Sequence, residues 1–198
     1  MGISIHSFVE FDRNPKDNPF GTHADVVAIN SGEFYFPSEE SLLKILGYPL
    51  NVEPHGSPSR SLEPRLRGLP DNSSQAVLRR FFHVVDDLGH EHPFAPSLPT
   101  VSSAIADEWI TCHHVPEGPP LEVYRRERRG WENLRRGAHP AWHSPSWLSL
   151  DEIQRSINRL GFRIDHFSLT FRVVLDLMQS MGDELGRQHT RLVYWFDN

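Results

Sequence analysis

The stretch Ala138–Ile153, AHPAWHSPSWLSLDEI, gathers two histidines, two tryptophans and three serines immediately before a helix start. Imidazoles act as general acids or bases near neutral pH. Hydroxyls and the free N–H groups of a helix N-terminus receive anions, and indole faces stack on bases. Pro140 and Pro145 keep the stretch non-helical before Ser149, so His139 and His143 are not an i, i+4 metal pair. The reading is a local anion site, with His143, Ser144 and Ser146 as polar contacts and Trp142 or Trp147 as the stacking face. A second reading uses His143 and Ser146 to satisfy loop backbone, and Trp147 as a hydrophobic staple near Ile153.

Charge points to the same chemistry. The net charge is −6, yet Tyr124–Arg136 (YRRERRGWENLRR) holds six arginines against Glu127 and Glu132, a local +4. Arg125, Arg126, Arg128 and Arg129 are the candidates to neutralise phosphate. An acidic body with one arginine-dense segment favours a local anion site over general nucleic-acid coating. The plainer alternative is a solvated charge run. His-Glu-His at 90–92 and His-His at 113–114 lack zinc-type spacing, so no metal is expected. P-loop, dinucleotide-binding and Gly-x-Ser-x-Gly patterns are absent, and no cofactor is expected. Cys112 is the single cysteine, without a local nucleophile signature.

The elements that must position these groups follow from periodicity. Residues 3–11 alternate as a strand, with Ile3, Ile5, Ser7, Val9 and Phe11 on one face and Ser4, His6, Phe8 and Glu10 on the other. ADVVAI and GEFYF read as short strands. A short helix is predicted at PSEESLLKILGYP, capped by Ser38, and a longer one from Asp71–Ser74 to Gly89 on Val77, Phe81, Val84 and Leu88. Ser149 and Glu152 form a capping box for a helix ending at Gly161. Phe167, Phe171, Val174, Met178, Met181 and Leu185 make the core stripe of the last helix. TRLVYWFDN closes as a central strand, expected to share a sheet with residues 3–11. Segments 48–72 and 116–146 read as long loops, mobile or functional.

These readings sum to an α+β fold in one domain of 198 residues, a small mixed sheet with three or four helices and long Pro-rich loops. No apolar run is long enough to span a membrane, and no secretory signal begins the chain. One cysteine and no signal suit a cytoplasmic setting.

MGISIHSFVEF, RGLPD, HSPSWLSLDEI and VYWFDN, in that order, resemble the landmarks of an uncharacterised family of small tailed-phage and prophage proteins. That family begins Met-Gly-Cys-Asp-Ile-His, carries Arg-Gly-Leu-Pro and His-Ser-x-Ser-Trp-Leu, and ends near Trp-Phe-Asp-Asn. The matching positions are His6, Arg67 to Pro70, His143, Ser144, Ser146, Trp147 and Asp197. Ile3 and Ser4 stand where the family has Cys and Asp, which weighs against metal catalysis here. The resemblance implies a phage-type protein in a host cell and brings no activity with it; for such a protein, one role for the anion site read from the residues is to sequester a host immune nucleotide signal. On this reading His6 and His143 bond the ligand, Arg67 meets its phosphate, and Asp197 orients a histidine or accepts from the ligand. Two alternatives stay open. One is a phosphoesterase or nucleotide hydrolase with His6 or His143 as acid/base, held by Glu10 or Asp197. The other is an inhibitor that grips a host protein through the arginine segment. If one ligand unites the landmarks, they must line a single pocket.

Overall fold

A computed structural model describes residues 4–13, 20, 26–31, 40–47, 67–70, 72–85, 100–101, 124–125, 135–138 and 142–197. Its contacts divide the chain into two compact units, Met1–Ser74 with Ser144–Asn198, and Gln75–His143. The class is α+β.

The first unit is organised by its two terminal strands, β1 (Ser4–Asp12) and, at the far end of the chain, Thr190–Asp197. They pair antiparallel as expected, from Ser4 opposite Asp197 to Phe11 opposite Thr190. β2 (Val26–Asn30) adds to the outer side of β1, also antiparallel.

That register fixes two faces. Ile5 and Val9 with Leu192, Tyr194 and Phe196 form one, which joins the hydrophobic core. Against it lie α1 (Glu40–Ile45), through Leu42, Leu43 and Ile45, and the helix Leu150–Arg159, through Ile153 and Ile157. The long helix Leu169–Leu185 completes the layer with Phe171, Val174, Leu175 and Met178. Met181 and Leu185 of the expected stripe are only half-buried, because the buried line drifts to Leu175 and Gly182. The capping box is present: Ser149 Oγ accepts from the Glu152 N–H, and the Glu152 carboxylate accepts from the Ser149 N–H. Gly161, at φ +68°, follows the helix end where a left-handed residue is needed.

The opposite face carries His6, Phe8, Glu10 and Asp12 across from Trp195, Val193 and Arg191. Glu10 and Arg191 face each other directly, wholly and almost wholly buried, 2.8 Å apart. The other Glu10 oxygen accepts from the Ser74 N–H at 2.6 Å.

In the second unit, α2 is Gln75–Phe81, with Val77 and Phe81 buried. The expected helix to Gly89 is corrected here. Phe82–Val85 is strand β3, an aromatic and β-branched run that sheet pairing claims over helix periodicity. The expectation of loop throughout 116–146 is corrected too. β4 (Thr100–Val101), β5 (Tyr124–Arg125) and β6 (Arg135–Ala138) form a sheet in the order β4-β3-β6-β5, parallel only between β3 and β4. β7 (Trp142–Ser149) is the outermost strand of the first sheet, and with β8 as the terminal strand its order is β2-β1-β8-β7. Pro145 is tolerated there because an outer strand need not donate on both sides. The two remaining helices are α3 (Leu150–Arg159) and α4 (Leu169–Leu185).

Removing one member of a buried, hydrogen-bonded ion pair strands the other charge. Glu10→Ala should therefore cost about 3–5 kcal/mol in urea denaturation. Glu10→Leu combined with Arg191→Met should recover most of that loss. A cost below about 1 kcal/mol for Glu10→Ala would show that the pair constrains nothing.

Candidate functional site

Four distant segments of the first unit meet on the Glu10 face. The Arg67 N–H donates to Ser146 Oγ at 3.1 Å, and the Gly68 N–H to the Pro145 carbonyl at 3.0 Å. Arg-Gly-Leu-Pro thus lies along the open edge of β7. Gly68, at φ +78°, makes the bend there without a side-chain penalty. The chain then turns at Pro70, whose carbonyl accepts from the N–H and the hydroxyl of Ser73.

Asn72 follows and binds Arg191 twice, through its side-chain oxygen at 2.9 Å and its carbonyl at 3.1 Å. Its amide donates to the Phe20 carbonyl, and the Phe20 N–H donates to Asp12 at 2.9 Å. Phe20 is thereby held at both backbone groups.

The result is an open groove of about 510 Å³ lined by Phe20, Arg67, Leu69, Pro70, Asn72, Trp147 and Arg191. Its wall alternates rings and guanidiniums. Arg191 lies over Phe20 at 3.9 Å and over Trp147 at 5.7 Å, and Arg67 covers Trp147 at 4.7 Å. Such stacks hold a guanidinium by the ring quadrupole while leaving its N–H edge available for hydrogen bonds.

The two arginines differ in what holds them. Burial pushes the Arg191 pKa down from the ordinary arginine value, while Glu10 and Asp12 oppose that shift. Arg67 is one-third exposed and forks onto Glu152, at 2.5 and 3.3 Å. Burial alone would raise the Glu152 pKa. The bonds from Arg67 and Ser149 outweigh it and hold the carboxyl below its ordinary 4.5. Behind this edge, burial pushes the Tyr194 hydroxyl pKa well up. It stays a neutral donor, bonded to the Leu46 carbonyl at 2.8 Å.

The candidate residues separate into several places. Arg67 and Trp147 line the groove. Trp147 lies outside the core cluster that holds Ile153, so it is a groove wall and not a staple. Ser146 is fully buried and serves Arg67's backbone, and Ser144 is half-buried. His6 Nε2 and Asp197 Oδ2 are 3.2 Å apart, and His6 stacks on Trp195 at 5.6 Å. His6 and Asp197 thus face each other, and His6 sits four strand positions from Glu10, about 13 Å. The landmarks do not all line this groove: Arg67, Leu69, Pro70 and Trp147 reach it, whereas His6 and Asp197 lie towards the other end of the β1 and Thr190–Asp197 pair. Both Glu10 oxygens are engaged, one by Arg191 and the other by the Ser74 N–H. Trp142 belongs to the other unit's residues, against Phe81 at 6.1 Å and beneath Arg80 at 5.5 Å. Arg125 is in β5, opposite Arg135. Arg126, Arg128, Arg129 and the His143 side chain lie outside the described residues.

Sequence reasoning missed Phe20, Asn72, Arg191 and the second role of Glu152. Only Arg191 left a signal, an opposite charge to Glu10 on strands already expected to share a sheet. No protein-family model, curated protein or solved structure matches the chain. Among the described residues no three His, Cys, Asp or Glu side chains gather as a metal site requires, and no helix is long and apolar enough to cross a membrane.

The lowered Glu152 pKa has a pH consequence. A carboxyl depressed on folding contributes stability above its unfolded value, and that stability is lost as pH falls through the folded value. The melting-temperature gap between wild type and Arg67→Ala should hold from pH 7 to about 5 and close as the pH falls towards 3. A gap independent of pH would show that Arg67 acts through packing on Trp147 alone.

Proposed function

We propose that the first unit binds a small phosphorylated ligand with a planar ring, of the nucleotide class, in the Trp147 groove. One observation carries this reading: the half-buried Trp147 ring and the part-exposed Arg67 guanidinium stand 4.7 Å apart in the same open groove. A ring stacks on the aromatic wall, and a phosphate meets the arginine edge by charge-assisted bonds. Ligand classes that need a resident metal are not required by this chemistry.

Binding without turnover suits the site better than hydrolysis does. Of the described histidines that face a carboxylate, His6 with Asp197 lies towards the other end of the strand pair from Arg191, and His189, 3.7 Å from Asp12, is buried, so neither offers an exposed imidazole beside Arg67. A protein that only holds such a ligand acts by sequestration or as a sensor. In a phage-type protein, the setting that the sequence landmarks suggest, that role takes the form of sequestering a host nucleotide signal.

Titration with AMP tests the proposal. Saturating AMP should raise the melting temperature and quench tryptophan fluorescence, with or without EDTA, and AMP should be recovered intact. At a hundred times Kd the gain in stability is about 2.7 kcal/mol. Trp147→Ala should weaken binding by about 5- to 150-fold, the span of one base stack. AMP binding that Trp147→Ala leaves unchanged, or binding abolished by EDTA and restored by manganese, would remove the groove reading.

A further inference from the structure

We propose that Glu152 makes this groove selective for a dianionic terminal phosphate, by occupying Arg67 as a resident anion that a monoanion does not displace. The inference rests on the groove reading above and names the ligand class more narrowly: a nucleoside phosphomonoester rather than a phosphodiester or a carboxylate.

Arg67 is the exchangeable cation of the groove. Arg191 is 4% exposed and committed to Glu10 and Asn72, so a ligand cannot recruit it without unmaking the buried pair. Arg67 is 34% exposed and Glu152 23%, so this pair opens towards solvent. A ligand anion must take Arg67 from Glu152. A diester or carboxylate would trade one single charge for another, with little gain. A phosphomonoester carries close to two charges at pH 7 and three acceptor oxygens, and so outcompetes the carboxylate.

The exchange does not strand Glu152. Its Oε2 also accepts from the Ser149 N–H at 2.9 Å and from the Ser149 hydroxyl at 3.1 Å. The released carboxylate therefore keeps its place in the α3 capping box. This dual role provides a clean variant, because a capping box accepts glutamine as readily as glutamate. Glu152→Gln removes the resident charge and keeps the cap.

The test compares AMP, cyclic 3′,5′-AMP and adenosine by calorimetric titration at pH 7.5. Wild type should bind AMP about tenfold or more tightly than cyclic AMP, a difference of about 1.4 kcal/mol. In Glu152→Gln both should bind more tightly, and the ratio should narrow to about threefold or less. A second measurement needs no variant. Between pH 7.5 and 5 the phosphate of AMP falls from dianion to monoanion, with a second pKa of about 6, while Glu152 keeps its charge. Wild-type affinity for AMP should fall through that window and affinity for cyclic AMP should not. Equal wild-type affinity for the two nucleotides, or a ratio unchanged in Glu152→Gln, would overturn the selectivity while leaving the groove reading in place. No binding of any of the three compounds to either protein would overturn both.

Discussion

The buried contact between Glu10 and Arg191 is the constraint on which the rest of this unit depends. The two residues are directly opposite on the paired terminal strands, so the pair belongs to one register only. A slip of one residue would turn Glu10 into the hydrophobic layer of Ile5, Val9 and Leu192. The carboxylate also takes the Ser74 N–H, and the guanidinium takes two oxygens of Asn72. One ion pair thereby fixes the strand register, docks the 72–74 segment and sets the floor beneath Phe20 and Trp147. Its desolvation cost is met by bonds to nearly every polar position of both groups, the condition under which a buried pair is tolerated.

The second arginine of the groove shows how exposure separates structure from function. Arg67 and Arg191 both stack on Trp147 and both fork onto a glutamate. Arg191 cannot exchange partners without leaving Glu10 charged in a dry interior. Arg67 can, because water and Ser149 are available to Glu152 at the helix start. Chemically similar contacts therefore differ in role by their access to solvent, and the exchangeable one lies at the rim.

What the sequence made legible is what local patterning encodes. The alternation in Ser4–Asp12, the capping box at Ser149 and Glu152, and the stripe from Phe171 to Met178 each depend on residues a few positions apart, and each is present, while Phe167, expected on the same helix, is buried just before it. The pairing of the two ends followed from their shared β pattern. Phe82–Val85 and Arg135–Ala138 were not legible, because strands this short exist only through partners far along the chain. The groove was half legible. Arg67 and Trp147 stood out by type and company, whereas Phe20, Asn72 and Arg191 acquire roles only from the β1 and β8 register. That same register parts His6 and Asp197 from the groove: Asp197 is opposite Ser4 at one end of the strand pair, and Arg191 is opposite Glu10 towards the other. Four landmarks fix an order along the chain, not a position along a strand.

Backbone geometry explains why the groove can keep its shape without a ligand. Among the described residues Phe20, at φ +57°, and Ser144, at φ +53°, are the non-glycine residues in the left-handed region. Each such conformation costs on the order of 1–3 kcal/mol and persists only where the surroundings over-determine it. Phe20 satisfies that condition: Asp12 holds its N–H, Asn72 its carbonyl and Arg191 its ring. Ser144 directly precedes Pro145, whose carbonyl anchors Gly68, and Ser146 anchors Arg67 one step further on. Relaxing either residue would require dismantling bonds that also carry the sheet register or the β7 edge. The aromatic wall is therefore preorganised, and the ordering cost that a ligand would otherwise meet is already covered by folding. Only the Arg67 side chain need move.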